Sequence, residues 1–307
     1  MILVVLGHAI SDCVVQQYKT AQILFDFIYS FHMPLFFFLS GFVAVKALNA
    51  TNMHKRIDYI KGRFHRLIVP YLSVGIMYIP LKMFFSSEVS ASISGNLIKD
   101  FITGMNPNYQ LWTLYVLFLC ALAICLLNKA GGGAIIAIAL LLKLLVVLHP
   151  FNVLVVDQFC GHFIYFVIGI YANQNSILNE ASKPQVILSA VIWLACNIFL
   201  QFKGIEIIGF VAAVSGIVFV CKISKMIESF NTPILDIIGK YSIDIYILAN
   251  LVQVLVRSLL LQKLGFDSII CCLISTILGL VVPIVLSKYV VRKVFLLRYF
   301  VLSEKVK

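Results

Sequence analysis

The 307-residue chain is 62% hydrophobic and only 12% charged, a balance that excludes a water-soluble fold of average amino-acid usage. Its formal charge of +11 comes from Lys and Arg in short clusters between apolar runs, which argues for a membrane-topology signal and against a nucleic-acid-binding face. The eight Cys are scattered without CxxC spacing, so no small disulfide framework is expected. They read as small core residues, with Cys13 and Cys160 the one pair weighed as an outer-face bridge.

Apolar runs near the roughly 20 residues needed to cross a hydrocarbon core of about 30 Å recur along the whole chain. In order they predict helices over 1–10, 29–48, 67–85, 111–127, 134–148, 159–172, 186–202, 205–221, 242–261 and 268–290. The fold class is therefore all-α, a polytopic transmembrane bundle of about ten helices in a single integral membrane domain over 1–307. The longest predicted connections are 11–28 and 86–110. The first helix covers only about 15 Å at 1.5 Å per residue, half a crossing, and an upstream continuation of about ten to fifteen residues is expected. Most Lys and Arg outside the helices fall in 49–66, 128–130, 173–184, 222–241 and the tail from 291. The opposite loops hold only Lys19, Lys99, Lys203 and Lys263, an asymmetry that puts both termini in the cytoplasm.

That topology sets His8 at the outer end of the first helix and His32 in the first turn of the second, at matched depth in antiparallel neighbours. An imidazole, titrating near about 6.5, takes a proton from a hydroxyl and returns it to a leaving group; the structural alternative is an interfacial histidine bonded to a neighbour. In SFHMPLFFFLSGF (30–42), Pro34 removes a backbone donor and frees a carbonyl near His32 to orient a ring. The Ser40–Gly41 pair in the same segment lets another helix come close. The segment KRIDYIKGRFHR (55–66), with Arg56, Lys61, Arg63 and Arg66, suits phosphates, or else fixes topology and binds anionic lipid. In the predicted ninth helix Ser242, Tyr246, Asn250, Gln253 and Arg257 fall within about 80° of arc along roughly 22 Å. Such a stripe is unfavourable against lipid, so it faces the bundle as polar glue or a wet substrate path. Asp244 points nearly opposite and is read as pairing with Lys240, and Lys143 as reaching outward to the interface.

Several segments together resemble the acyltransferase family 3 membrane proteins, in particular the subset related to fucose 4-O-acetylases of surface polysaccharides. They are LVVLGHA (3–9), FHMPLFFFLSGF (31–42), RFHRLIVPYL (63–72), LWTLYVLF (111–118), FIYFVIGIY (163–171) and IGKYSIDIYIL (238–248). The resemblance implies a bacterial inner-membrane O-acetyltransferase. Its donor would be cytoplasmic acetyl-CoA, with no metal, and its acceptor a hydroxyl of a cell-envelope glycan or lipid-linked precursor; lipid and no nucleic acid are the other partner expectations. Carried over residue by residue, it makes His8 the catalytic base and His32 a second site histidine. It puts Arg63 and Arg66 near the donor; from the residue pattern Arg56 and Lys61 are expected to join them, and Ser40, Trp112, Tyr246, Asn250, Gln253 and Arg257 are expected on the substrate path. The chain departs from the pattern at Ala249, where related sequences often have His. The competing reading is a transporter or flippase of a glycan or small molecule with the 242–257 stripe along its route, although no inverted repeat is visible.

Overall fold

The computed structural model describes residues 1–45, 53–84, 96–127, 129–177, 182–201, 205–228, 230 and 232–303. The predicted helix ends at 48, 85 and 202, and Lys203, Lys305 and Lys307, lie outside the described residues. The described chain is helical: α1 (Ile2–Cys13), α2 (Lys19–Tyr29), α3 (His32–Phe42), α4 (Met53–Arg63), α5 (Val69–Phe84), α6 (Leu97–Thr103), α7 (Trp112–Leu127) and α8 (Gly132–Leu148) come first. Then follow α9 (Leu154–Gln174), α10 (Lys183–Leu200), α11 (Glu206–Ile227), α12 (Pro233–Lys240), α13 (Ser242–Val256), α14 (Ser268–Leu286) and α15 (Phe295–Leu302). Among the described residues, 7 stretches are long and apolar enough to cross a membrane, and α1 and α8 are shorter apolar helices. The protein is a multi-pass membrane helix bundle.

Each predicted helix has a counterpart, and the differences lie in the connections. Residues 11–28, read as a loop, contain the end of α1 and most of α2, which runs almost directly into α3 as one apolar stretch, Lys19–Phe42. The polar start of α2, Lys-Thr-Ala-Gln, hides it from an apolar-run criterion. The basic segment before α5 is itself helical, as α4 and a π-helical turn, Phe64–Ile68. There the Val69 N–H reaches back to the Phe64 carbonyl, one residue further than in an α-helix, just ahead of Pro70, which has no N–H to give. Two more π-turns, Arg257–Lys263 and Ser287–Val291, continue α13 and α14.

The chain forms two compact units interleaved in sequence: Met1–Phe25, Gly62–Tyr115 and Pro233–Lys307 make the first, and Asp26–Lys61 with Val116–Thr232 the second. In the first, α14 packs on both α1 and α13, and α15 on α5. Asp244, fully buried, accepts hydrogen bonds from Ser287 Oγ and from Arg292 Nη2, the latter at 3.1 Å. This corrects the expected Asp244–Lys240 pair: Lys240 lies over the Tyr241 ring. A guanidinium reaches both carboxylate oxygens at once, as a single ammonium does not. Cys13 Sγ lies 3.7 Å from Cys271 Sγ, and all eight thiols are free, including Cys160, so the bridge weighed between Cys13 and Cys160 is not formed.

In the second unit α3 packs on α9, α9 on α8, and α10 on α11. Small residues set the spacing. A Cβ on Gly132 would meet the Tyr171 hydroxyl, and one on Gly216 would meet the Phe31 ring. Trp193 of α10 stacks on Phe219 and donates its indole N–H to Ser30 Oγ at 3.0 Å. That bond pins the junction between α2 and α3, where His32 begins the next helix.

Candidate active site

α1 buries Val5, Ala9, Ile10 and Cys13 within the first unit and carries His8, half-buried. At 100° per residue, Asp12 stands on the same face as His8, one turn on. Asp12 Oδ2 lies 2.6 Å from Arg257 Nη1, and Arg257 is 8% exposed. One turn before His8, the Val5 carbonyl accepts a hydrogen bond from Gln253 Nε2 at 2.8 Å. Gln253 and Arg257 stand one turn apart on α13 and its π-turn, so that helix grips α1 on either side of His8. The close approach depends on Gly279 of α14, where a Cβ would meet Val5 Cγ1 at 2.8 Å and the Gln253 side chain at 3.3 Å.

The rest of the stripe is bonded within the same unit. Asn250 Nδ2 donates to Asn108 Oδ1 at 2.9 Å and to the Tyr78 hydroxyl at 3.2 Å. The Tyr246 hydroxyl donates to the Gln110 carbonyl, in the short turn that leads into half-buried Trp112 at the start of α7. Behind these, Asn106 Nδ2 donates to the Tyr71 carbonyl at 2.7 Å and its Oδ1 accepts the Asn108 N–H at 2.9 Å. The stripe is thus a seam of side-chain amides and hydroxyls joining α13 to α1, α5 and the turn before α7. Ser242 is half-buried at the start of α13.

His32 belongs to the second unit and is 5% exposed. Its Nδ1 lies 3.0 Å from the Ile28 carbonyl. A carbonyl only accepts, so Nδ1 carries the proton and Nε2 the basic lone pair. The Tyr29 ring meets the imidazole edge-on, 4.3 Å between centroids. The carbonyl that orients the ring comes from Ile28 in the last turn of α2, rather than from one freed by Pro34. Ser40 is half-buried on α3, beside Gly41.

Of the basic cluster, Arg56 and Lys61 fall in the second unit, Arg63 and Arg66 in the first. On α4, Arg56 and Arg63 are seven residues apart and share the half-buried face with Tyr59 and Ile60, while Lys61 is on the exposed face and Arg66 is exposed in the π-turn. A guanidinium can hold phosphate oxygens. Among the described residues, no three His, Cys, Asp or Glu side chains gather in a metal-binding group.

Sequence reasoning missed Asp12, Tyr78, Asn108 and Gln110. It also passed over His162 on α9, whose Nδ1 donates to the Gln158 carbonyl at 2.9 Å and whose ring packs 4.7 Å from that of Phe37. The signal for Asp12 was its four-residue spacing from His8. The partners of Asn250 and Tyr246 lie 136 and more residues away, with no local pattern to announce them.

Among known proteins, residues 1–288 match the family model of acyltransferase family 3, described as an acyltransferase domain. No curated protein and no solved structure gives a match. Since the family match spans nearly every described helix, including those that carry His8, His32 and the α13 grip, the chain belongs to acyltransferase family 3, the membrane acyltransferases.

Proposed function

We propose that this membrane acyltransferase moves an acetyl group from cytoplasmic acetyl-CoA to a hydroxyl of a cell-surface glycan or its lipid-linked precursor. It does so in the bacterial inner membrane, with both termini cytoplasmic. The observation that carries the reading is His8 held on α1 between the Gln253 and Arg257 contacts, in a chain of an acyltransferase family. As general base, His8 takes the proton of the acceptor hydroxyl while its oxygen attacks the thioester carbonyl. The ester C–O bond forms, the C–S bond breaks, and coenzyme A leaves as a thiolate that takes up a proton. His32 serves the same reaction as second histidine, with its Nε2 as the basic nitrogen. Arg56 and Arg63, flanked by Lys61 and Arg66, bind the phosphates of the donor.

The test uses sealed vesicles containing the full chain, supplied with acetyl-labelled acetyl-CoA on the side of the basic loops. Labelled ester on glycan held inside is the expected result. Glycan crossing the membrane in a chain-dependent manner without acquiring label would establish a transporter or flippase instead. The bonding of Tyr246, Asn250, Gln253 and Arg257 to their own unit supports a positioning role for the stripe over a translocation route.

That role carries its own prediction. Removing one partner of a buried ion pair destabilises by about 3–5 kcal/mol, so the informative changes are conservative. Arg257→Lys retains the charge but loses the guanidinium geometry, and Gln253→Leu retains the volume but loses the bond to Val5. Each is expected to lower kcat about a hundredfold, the penalty of a reacting group displaced by about 1 Å, with KM for acetyl-CoA little changed. A raised KM with unchanged kcat would make them binding residues and remove the positioning role.

A further inference from the structure

The last described helix, α15, lies beyond residue 288, where the family match ends, so its role is read from its contacts. Within the first unit α15 packs on α5, and the Ser73 hydroxyl of α5 donates to the Phe300 carbonyl. The Tyr299 ring meets the His65 imidazole edge-on, 4.9 Å between centroids, which ties α15 to the π-turn Phe64–Ile68. Arg66 follows His65 and Arg298 precedes Tyr299, so two arginines flank one ring contact. At 100° per residue Arg298 falls between Val301 and Leu302, both buried, and stands on the inward side of α15. Leu296 and Phe300, on the opposite side, are exposed.

Arg298 Nε is enclosed and donates to nothing, and the guanidinium forms no ion pair with any described residue. An enclosed cationic donor without an acceptor is more unfavourable than a neutral one. Packing does not account for an arginine here, since Val301 and Leu302 already supply the apolar contact. The residue as a whole is half-buried and so remains within reach of a ligand. Arg66 is exposed in its π-turn and likewise forms no ion pair with a described residue. Two guanidiniums that no described carboxylate neutralises are matched by an anion with several oxygens in fixed geometry, the form of a phosphate group. We propose that Arg298 and Arg66 close on one phosphate of the coenzyme A donor, so that the phosphate-binding set extends to the C-terminal helix. The inference rests on coenzyme A being the donor. The inward position of Arg298 favours a ligand drawn in between α15 and the π-turn over a lipid headgroup lying along the outer side of the helix.

The experiment uses the full chain in nanodiscs of phosphatidylcholine, alone or with phosphatidylglycerol. Arginines are modified with phenylglyoxal in the presence and absence of coenzyme A, and the modified positions are mapped by peptide mass. Coenzyme A is expected to shield Arg298 and Arg66 together, whereas phosphatidylglycerol is not. Equilibrium dialysis of radiolabelled coenzyme A then gives the affinities. Arg298→Gln should weaken binding about tenfold, the low end for a hydrogen bond to a charged group. Adding Arg66→Gln should weaken it by less than the product of the two single effects, because both side chains act on one phosphate. Since Arg298 makes no bond to the protein, Arg298→Gln without ligand should unfold no lower than the parent, while an arginine that merely held α15 in place would lower it. Coenzyme A that binds the unmodified chain without shielding Arg298 overturns the inference and leaves the donor assignment standing, and this arm depends on no variant folding. Unchanged affinity in folded Arg298→Gln protein overturns it as well. Shielding by phosphatidylglycerol instead of coenzyme A does so by making the anion a lipid headgroup, and no binding of coenzyme A at all removes the donor assignment together with the inference.

Discussion

Replacing His8 by alanine is expected to lower ester formation on the glycan by about 10²–10⁴-fold, the usual contribution of a positioned general base. The Gln253 bond is made to the Val5 backbone and the Arg257 pair to Asp12, so neither anchor of α1 uses the imidazole. Alanine also has the highest helix propensity, and α1 should remain formed and docked. Thermal unfolding of the variant in detergent should therefore stay close to that of the parent while ester content collapses. His8→Gln, which keeps a polar side chain of similar reach but has no basic nitrogen, separates proton transfer from hydrogen bonding and should be as inactive as alanine. Full ester content with either variant rules out His8 as the base. Loss of activity together with loss of folded protein in both would instead mark His8 as a packing residue.

The site was legible in part, and the boundary between what was read and what was not follows the range of the interactions. His8 and His32 stood out because ionisable side chains at the ends of apolar runs are rare and local in sequence. Asp12 did not, because Ser11 and Asp12 end the apolar run and a helix drawn from hydropathy stops at residue 10. The helix continues to Cys13, since Arg257 compensates the carboxylate across 245 residues of sequence and turns a polar terminus into a buried contact. The α13 stripe was visible as a periodicity, but its role as a seam depends on Tyr78, Asn108 and Gln110, which no periodicity connects to it. The same holds for Asp244, where the nearest cation in sequence, Lys240, lost to Arg292 because the π-turn Ser287–Val291 brings a guanidinium and a serine hydroxyl to one carboxylate. Helical segments in the connections were missed for a different reason: α2 and α4 carry charge at intervals that break apolar runs without breaking helices.

Gly41 shows how far such a reading goes, because the Ser40–Gly41 pair marks a close approach in sequence but not what approaches. The structure supplies the partner. A Cβ on Gly41 would fall on the carbonyl of Phe166, and a Cβ on Gly169 would fall on the carbonyl of Phe38. Residue 41 thus meets 166 and residue 38 meets 169, an antiparallel crossing of α3 and α9 in which each helix turns a glycine toward the other's backbone. The obstacle in both cases is a carbonyl of a helix, which cannot rotate away as a side chain can. Gly41→Val and Gly169→Val are therefore expected to exceed the usual overpacking penalty of about 1–3 kcal/mol and to leave little folded protein, with the alanine variants near the upper end of that range. Gly161→Ala on the same helix is the control: a Cβ there meets nothing within 4 Å, so it should be neutral or stabilising by about 0.5–1 kcal/mol, the amount by which glycine in a helix interior is less stable than alanine. The fraction of folded protein recovered in detergent, with its unfolding temperature, reads all of these. Gly41→Ala unfolding at the same temperature as Gly161→Ala would mean that the two helices do not cross at these glycines. If they do, the crossing also fixes the position of His32, nine residues before Gly41 and less than three turns along α3, so the alanine variant that still folds should lose ester formation well beyond its loss of stability.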